Sequence, residues 1–289
     1  MQDYEIFMDV SGDIDPTVAE TSGIRFIPME YSLGDEMRKC RCMEGDNILK
    51  IFYDGQRNGA LTKTSQITPF MYVQFVEPVM KAGKSVLYLS LSGGLSNTYQ
   101  SALLAKTELE EKYPGLSFCP IDSLAATGGM GVLCERAIKN KKEGMSLEEN
   151  VADITAATKR ICHWFMVQDL MYLKRGGRIG SATAVVGTML NVKPILKIDE
   201  NGKLVTINKK RGNKQALLEL LTDYEEARDP ESRDPVYVID ADDDEMGKNL
   251  ADALTEKHPE LTVRRMKLSP IIGAHTGPGM AAICHLGKL

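Results

Sequence analysis

Three short segments of this chain combine small residues with neutral hydrogen-bond donors: Thr62–Ser65 (TKTS), Ser90–Ser96 (SLSGGLS) and Gly273–Gly279 (GAHTGPG). Hydroxyls, the imidazole of His275 and glycines that let a ligand approach backbone N–H groups suit the non-covalent capture of an anion. The middle segment is the best formed of the three. Ser85–Ser90 reads as a short apolar strand, Ser92, Gly93-Gly94, Ser96 and Asn97 form a turn, and from Thr98 the spacing is helical. The first N–H groups of a helix have no partner inside it and carry partial positive charge, so this junction favours an anion. Its plainer role is that Ser96 or Asn97 caps the helix.

Other chemistries fit the residues less well. Ser92, His275 and a strand-end acid (Asp122 or Asp240) supply the residue types of a hydrolase, yet Ser-Gly-Gly lacks the G-x-S-x-G turn that exposes a nucleophile. No G-x-G-x-x-G follows a strand, and no G-x-x-x-x-G-K-[ST] occurs, so dinucleotide and P-loop sites are not expected. Cys40 and Cys42 form a C-x-C with no second close pair, and the acidic run Asp240–Glu245 lies between a strand and a helix, where it caps. Neither a metal nor a cofactor is expected. His163 and His285 sit in apolar strands and read as core residues, while His258 follows a surface helix and reads as solvated. The basic run Lys174–Arg178 is open to three readings: an exposed turn, a docking patch, or a clamp that reaches the site.

These segments must be carried by a larger frame. The chain has 289 residues, 43% hydrophobic and 26% charged, with a net charge of −5, a balance that disfavours nucleic acid and anionic membranes as partners. No apolar run reaches the roughly 18–20 residues that span a bilayer, and the first residues lack a basic, then apolar, leader, so a cytoplasmic protein is expected. Up to about residue 159 strands alternate with helices, which predicts a parallel sheet covered on both faces. After Arg160 the pattern changes: Lys193–Ile198 and Lys203–Asn208 flank Glu200-Asn201-Gly202, a hairpin signal, so antiparallel pairing enters. The expected fold is α/β, with an N-terminal parallel-sheet domain over 1–159, a C-terminal α/β domain with antiparallel strands over 160–289, and the ligand between them. A helix rich in small residues is expected from Ser181, and Pro78 is expected to kink or end the helix that begins at Thr68-Pro69.

Taken together, TSQ at Thr64–Gln66, SLSGGLSNTYQSA at Ser90–Ala102, Asp122-Ser123, LKRGGRI at Leu173–Ile179, KPIL at Lys193–Leu196 and GAHTGPG at Gly273–Gly279 resemble the DegV family. This family comprises bacterial fatty-acid-binding proteins that serve as lipid-presenting, non-catalytic subunits of fatty acid kinase. The resemblance spans essentially the whole chain. It implies two α/β domains clamping a long-chain fatty acid, with Thr64, Ser92, Gly93 and His275 at the carboxylate and Arg175 and Arg178 in a loop that docks the kinase. Three departures bear on the headgroup network: Ser92-Gly93 stands where two serines are usual, Ile67 where proline is common, and Asp9–Asp13 follows its family pattern loosely. The rival expectations are a serine-dependent esterase or thioesterase using Ser92 and His275, and a lipid sensor for another partner.

Overall fold

The computed structural model describes residues 3–42, 44–179 and 191–288. The strands run β1 Tyr4–Asp9, β2 Arg25–Ile27, β3 Met29–Leu33, β4 Glu36–Cys40, β5 Thr62–Thr64, β6 Ser85–Ser90 and β7 Phe118–Asp122. They continue with β8 Ile161–Met166, β9 Val192–Ile198, β10 Leu204–Arg211, β11 Val236–Asp240, β12 Val263–Lys267 and β13 Ala281–Leu286. The helices are α1 Pro16–Ser22, α2 Asp46–Arg57, α3 Pro69–Lys81, α4 Thr98–Lys112 and α5 Thr127–Lys142. They are followed by α6 Leu147–Thr158, α7 Met171–Arg175, α8 Asn213–Ala227, α9 Asp244–Lys257 and α10 Pro270–Thr276.

Two main sheets make a mixed α/β molecule of two domains. The first has the order β2-β1-β6-β7 and is wholly parallel. Every residue of β6 is buried, which is why its sequence reads as a continuous apolar run and not as an alternation. Strand order reverses direction between β1 and β6, and at such a switch point the loops leaving the carboxyl ends diverge and open a crevice. The loops after Asp9, Ser90 and Asp122 all leave at that edge. The second sheet, β10-β9-β8-β13-β11-β12, is antiparallel except for its β11–β12 pair. Its side chains alternate between faces: Met166, Ile195, Val238 and Ile283 pack under α8 and α9, while Phe165, Leu196, Ile239 and Ala282 join the core shared with the first domain. A small sheet, β4-β3-β5, completes the frame, its β3–β4 hairpin turning at Gly34-Asp35.

Several local expectations hold and some do not. Ser146 and Glu149 form a reciprocal capping box at α6, and Asp243 caps α9 by accepting from the Met246 N–H. Pro78 does not end α3, which continues to Lys81; the proline sits one turn from the end of the helix. Thr62–Thr64, expected as loop, is an edge strand on β3, and most of the expected Ser269–Gly279 loop is the short helix α10. Proline at the first position of α10 supplies the fixed φ that starts a helix there. His258 is not solvated: it packs beside Arg228 and bonds Glu225 at 2.6 Å. The helix expected from Ser181 lies outside the described residues.

Candidate ligand site between the two sheets

The loop after β6 is built on a buried carboxylate. Asp9, wholly buried at the end of β1, accepts from the Tyr88 hydroxyl at 2.7 Å, the Leu91 N–H at 2.9 Å and Ser11. Burial pushes its pKa up, and these donors oppose that shift. The Tyr88 hydroxyl in turn meets Tyr72 at 2.7 Å, so the start of the loop is tied to α3 as well as to β1. From there the chain reaches α4, with Ser96 Oγ accepting from the Thr98 N–H at 3.2 Å and pairing with Thr98 Oγ1 at 2.9 Å. Ser96 therefore serves the helix start, and Asn97 occupies the cap position without a side-chain bond.

A cavity of about 570 Å³ lies between this loop and the inner face of the second sheet. Phe165, Ile198, Leu204, Met280 and Ala282 give it an apolar wall, and Ile271 and Ile272 of α10 add to it. Polar groups share the lining, among them Thr64, Ser65, Gln66, Gly93-Gly94, Ser96-Asn97, Arg178 and His275. Two of the sequence-derived site residues are in direct contact, Thr64 Oγ1 lying 2.8 Å from His275 Nε2. The edge strand β5 carries Thr64 and the last turn of α10 carries His275. Thr62 Oγ1 donates to the Ala274 carbonyl at 2.9 Å and fastens the two elements together.

The other two lie differently. The Ser92 side chain is not part of the lining: its hydroxyl donates to the Gly202 carbonyl at 2.8 Å and accepts from the Gly94 N–H at 3.1 Å. Gly93 does face the cavity, but its N–H is given to Asp122 Oδ1 at 3.0 Å. A Cβ at Gly93 would come within 2.7 Å of the Asp122 carboxylate, so the glycine in place of a serine is matched to its surroundings here.

Arg178, grouped in the sequence with the docking loop, instead lines the cavity. Its Nε donates to the Leu95 carbonyl at 3.1 Å and Nη1 to Gly176, and among the described residues no carboxylate pairs with it. Burial lowers its pKa, as expected for a cation taken out of water. Arg175 behaves otherwise. It is exposed at the end of α7 and lies over the Tyr172 ring, 4.6 Å from its centroid. The LKRGGRI segment contains no signal that separates the two arginines; on either side of Gly176-Gly177, one stays exposed and the other reaches the cavity.

His275 is neutral. Burial, with the Arg178 charge acting in the same direction, holds its pKa down at about 4. A carboxylate would therefore meet one fixed cation, one neutral imidazole and one hydroxyl. The depressed value has a consequence for stability. Between about 4 and the ordinary value near 6.5 the unfolded chain binds a proton that the folded chain does not, so stability is lost as pH falls through that window. The stability advantage of wild type over His275→Gln at pH 7 is expected to shrink at pH 5 in paired denaturant titrations. An advantage that grows on acidification would mean the imidazole is charged in the fold.

The arrangement offers hydrogen-bond donors to the cavity but forms no hydrolytic pair. Ser92 and His275 each bond other partners and not one another, so the nucleophile–base contact of a serine esterase is not formed. Among the described residues no group of three or more His, Cys, Asp or Glu side chains could hold a metal ion, and no helix is long and apolar enough to cross a membrane.

Comparison with known proteins decides the family. The sequence model described as "Uncharacterised protein, DegV family" matches residues 3–288. The chain belongs to the DegV family. A DegV domain-containing protein of Clostridium perfringens is 32% identical over 287 residues, covering 99% of this chain and 98% of its own length. A DegV family protein from Thermus thermophilus, whose structure is described as showing fatty acid binding, superposes with a TM-score of 0.86 at 29% identity, over the full length of both chains. DegV of Bacillus subtilis, described as a fatty acid binding protein, gives 0.83 at 29% identity, again over both full lengths. The Streptococcus pneumoniae fatty acid kinase B3 protein loaded with linoleic acid shares the DegV fold, with a TM-score of 0.86 at 21% identity over 99% of this chain and all of its own.

Proposed function

We propose that this protein is a non-catalytic fatty-acid carrier that presents its ligand's carboxylate to the ATP-dependent subunit of a fatty acid kinase in the cytoplasm. In this reading one long-chain fatty acid lies with its tail along the apolar wall of the interdomain cavity. Its carboxylate sits by Thr64, His275 and Arg178, with Gly93 beside it. Ser92 supports the loop from behind. The observation that carries the reading is the pairing of an apolar cavity with an arginine that lacks an acidic partner among the described residues.

The energetics agree. About a dozen methylenes at roughly 0.8 kcal/mol each supply on the order of 10 kcal/mol before ordering costs. A carboxylate taken from water without partners would cancel much of that gain, and a guanidinium with a hydroxyl prevents the loss. The exposed Arg175 is the better candidate for docking the kinase subunit, since it is free of the cavity.

Native mass spectrometry of the gently purified protein should show a single retained fatty-acid mass. A clean apo mass would overturn the carrier reading. Thr64→Ala combined with His275→Ala should lower retention by roughly tenfold or more, from the loss of two polar contacts at about 1 kcal/mol each. Unchanged retention would move the headgroup elsewhere in the cavity.

A further inference from the structure

We infer that the tip of the β9–β10 hairpin is the gate of the cavity and that Ser92 is the positioning residue that fastens it shut; this rests on the carrier reading. Ile198 and Leu204 face one another where the strands meet the turn, and both form part of the cavity wall. Moving the tip would remove both from the wall at once.

The turn is constructed to move as one piece. The Asp199 N–H donates to the Lys203 carbonyl at 2.8 Å and the Gly202 N–H to the Asp199 carbonyl at 2.9 Å. Asp199 Oδ1 also accepts from the Asn201 and Lys203 N–H groups, at 3.0 and 2.8 Å. Further along, the β9–β10 register shifts between Thr206 and Asn208, and β10 is the edge strand of its sheet, paired on one side only. A bulge in an edge strand gives a stiff tip a place to bend.

What the tip rests on is the loop after β6. Among the described residues, the bond from Ser92 Oγ to the Gly202 carbonyl is the only hydrogen bond joining residues 199–203 to residues 3–159. Ser92 is itself fixed, its N–H donating to the Ala125 carbonyl at 2.9 Å and its carbonyl accepting from Leu95 and Ser96. The two backbones meet almost bare. A Cβ on Gly94 would lie 2.5 Å from the Gly202 carbonyl oxygen and 2.6 Å from that of Asn201. Gly202 has φ +71°, and a Cβ there would strike Ser92 Oγ. One hydroxyl and two facing glycines make a contact that closes tightly yet is held by a single side-chain bond.

The test uses cis-parinaric acid, a fluorescent fatty acid, with stopped-flow kinetics on the wild type, Ser92→Ala and Gly202→Ala, neither residue being part of the cavity lining. The first variant removes the latch; the second keeps the hydroxyl and wedges the tip away. In both, association and dissociation should accelerate together by about tenfold, the value of one neutral hydrogen bond, while equilibrium affinity moves less than about threefold. Hydrogen exchange at the amides of 199–204 should quicken in the same variants without ligand. Faster dissociation alone, with a matching loss of affinity, would mean that Ser92 grips the ligand and would overturn the gate. Unchanged rates in both variants would overturn it too. A wild type that takes up no probe would overturn the carrier reading itself, and the gate with it, before any variant is compared.

Discussion

Arg178→Glu is expected to abolish fatty-acid retention, lowering affinity by at least roughly a hundredfold, or about 3 kcal/mol. Two effects add. The substitution removes a half-buried guanidinium that has no carboxylate partner among the described residues, and it places a carboxylate where the ligand's own would sit. Charging His275 would offset only part of the loss, because burial, the larger cause of its lowered pKa, persists in the variant. Arg178→Lys should lose less, keeping the charge but giving up the planar fork that reaches the Leu95 carbonyl. Arg175→Glu is the informative contrast. That side chain is exposed and stacked on Tyr172, so retention should stay near wild type while phosphorylation by a kinase partner falls. Titration with a fluorescent fatty acid gives the affinities, and a coupled phosphorylation assay gives the second readout. If Arg178→Glu bound as tightly as wild type, the carboxylate would not lie at this end of the cavity.

The two arginines also mark where the sequence stops being informative. The frame was legible, because burial leaves periodic traces: the apolar run of β6, the strand–helix alternation before residue 160, and Asn201-Gly202 between extended segments all follow from local chemistry. The segments of Thr64 and His275 were legible as partners from their small residues and neutral donors, and the two residues themselves through the family resemblance; they are 211 positions apart and meet because β5 and α10 pack together. Ser92 shows the opposite case. Its residue type suits headgroup binding, yet its hydroxyl turns toward a carbonyl of the other domain, a partner 110 positions away that no local pattern announces. Gly93 likewise offers an N–H that the strand-end carboxylate of Asp122 takes first. Which of several donors in one loop stays available to a ligand depends on what else approaches that loop, and that is decided by tertiary contact. The helix α10 was missed for a related reason: seven residues that include a proline, a glycine, two isoleucines and a threonine have little intrinsic preference for helix, and packing on α7, β5 and α2 supplies what propensity does not.

That packing makes Gly273 the residue through which the core sets the site. A Cβ at position 273 would strike the Tyr53 hydroxyl and come 3.1 Å from Phe52, and both side chains are wholly buried. Gly273→Ala is therefore an overpacking change, and it should cost about 1–3 kcal/mol and several degrees of Tm. The consequence reaches further than stability. The Tyr53 hydroxyl donates to the Leu268 carbonyl at 2.9 Å, and Gln56 Nε2 donates both to the Gly273 carbonyl and to Thr62 Oγ1 at 3.0 Å. These bonds seat α10 on α2 and hold β5 beside it, so pushing the helix outward separates His275 from Thr64. Fatty-acid affinity should fall with Tm, although residue 273 is not among those lining the cavity. Adding Tyr53→Phe deletes the nearest obstructing oxygen at the cost of one hydrogen bond, and the double variant should recover part of both losses. Thermal melts and ligand titrations on the single and double variants settle the matter. A Gly273→Ala protein that melts early but binds normally would show that α10 keeps its headgroup geometry independently of its seat on α2.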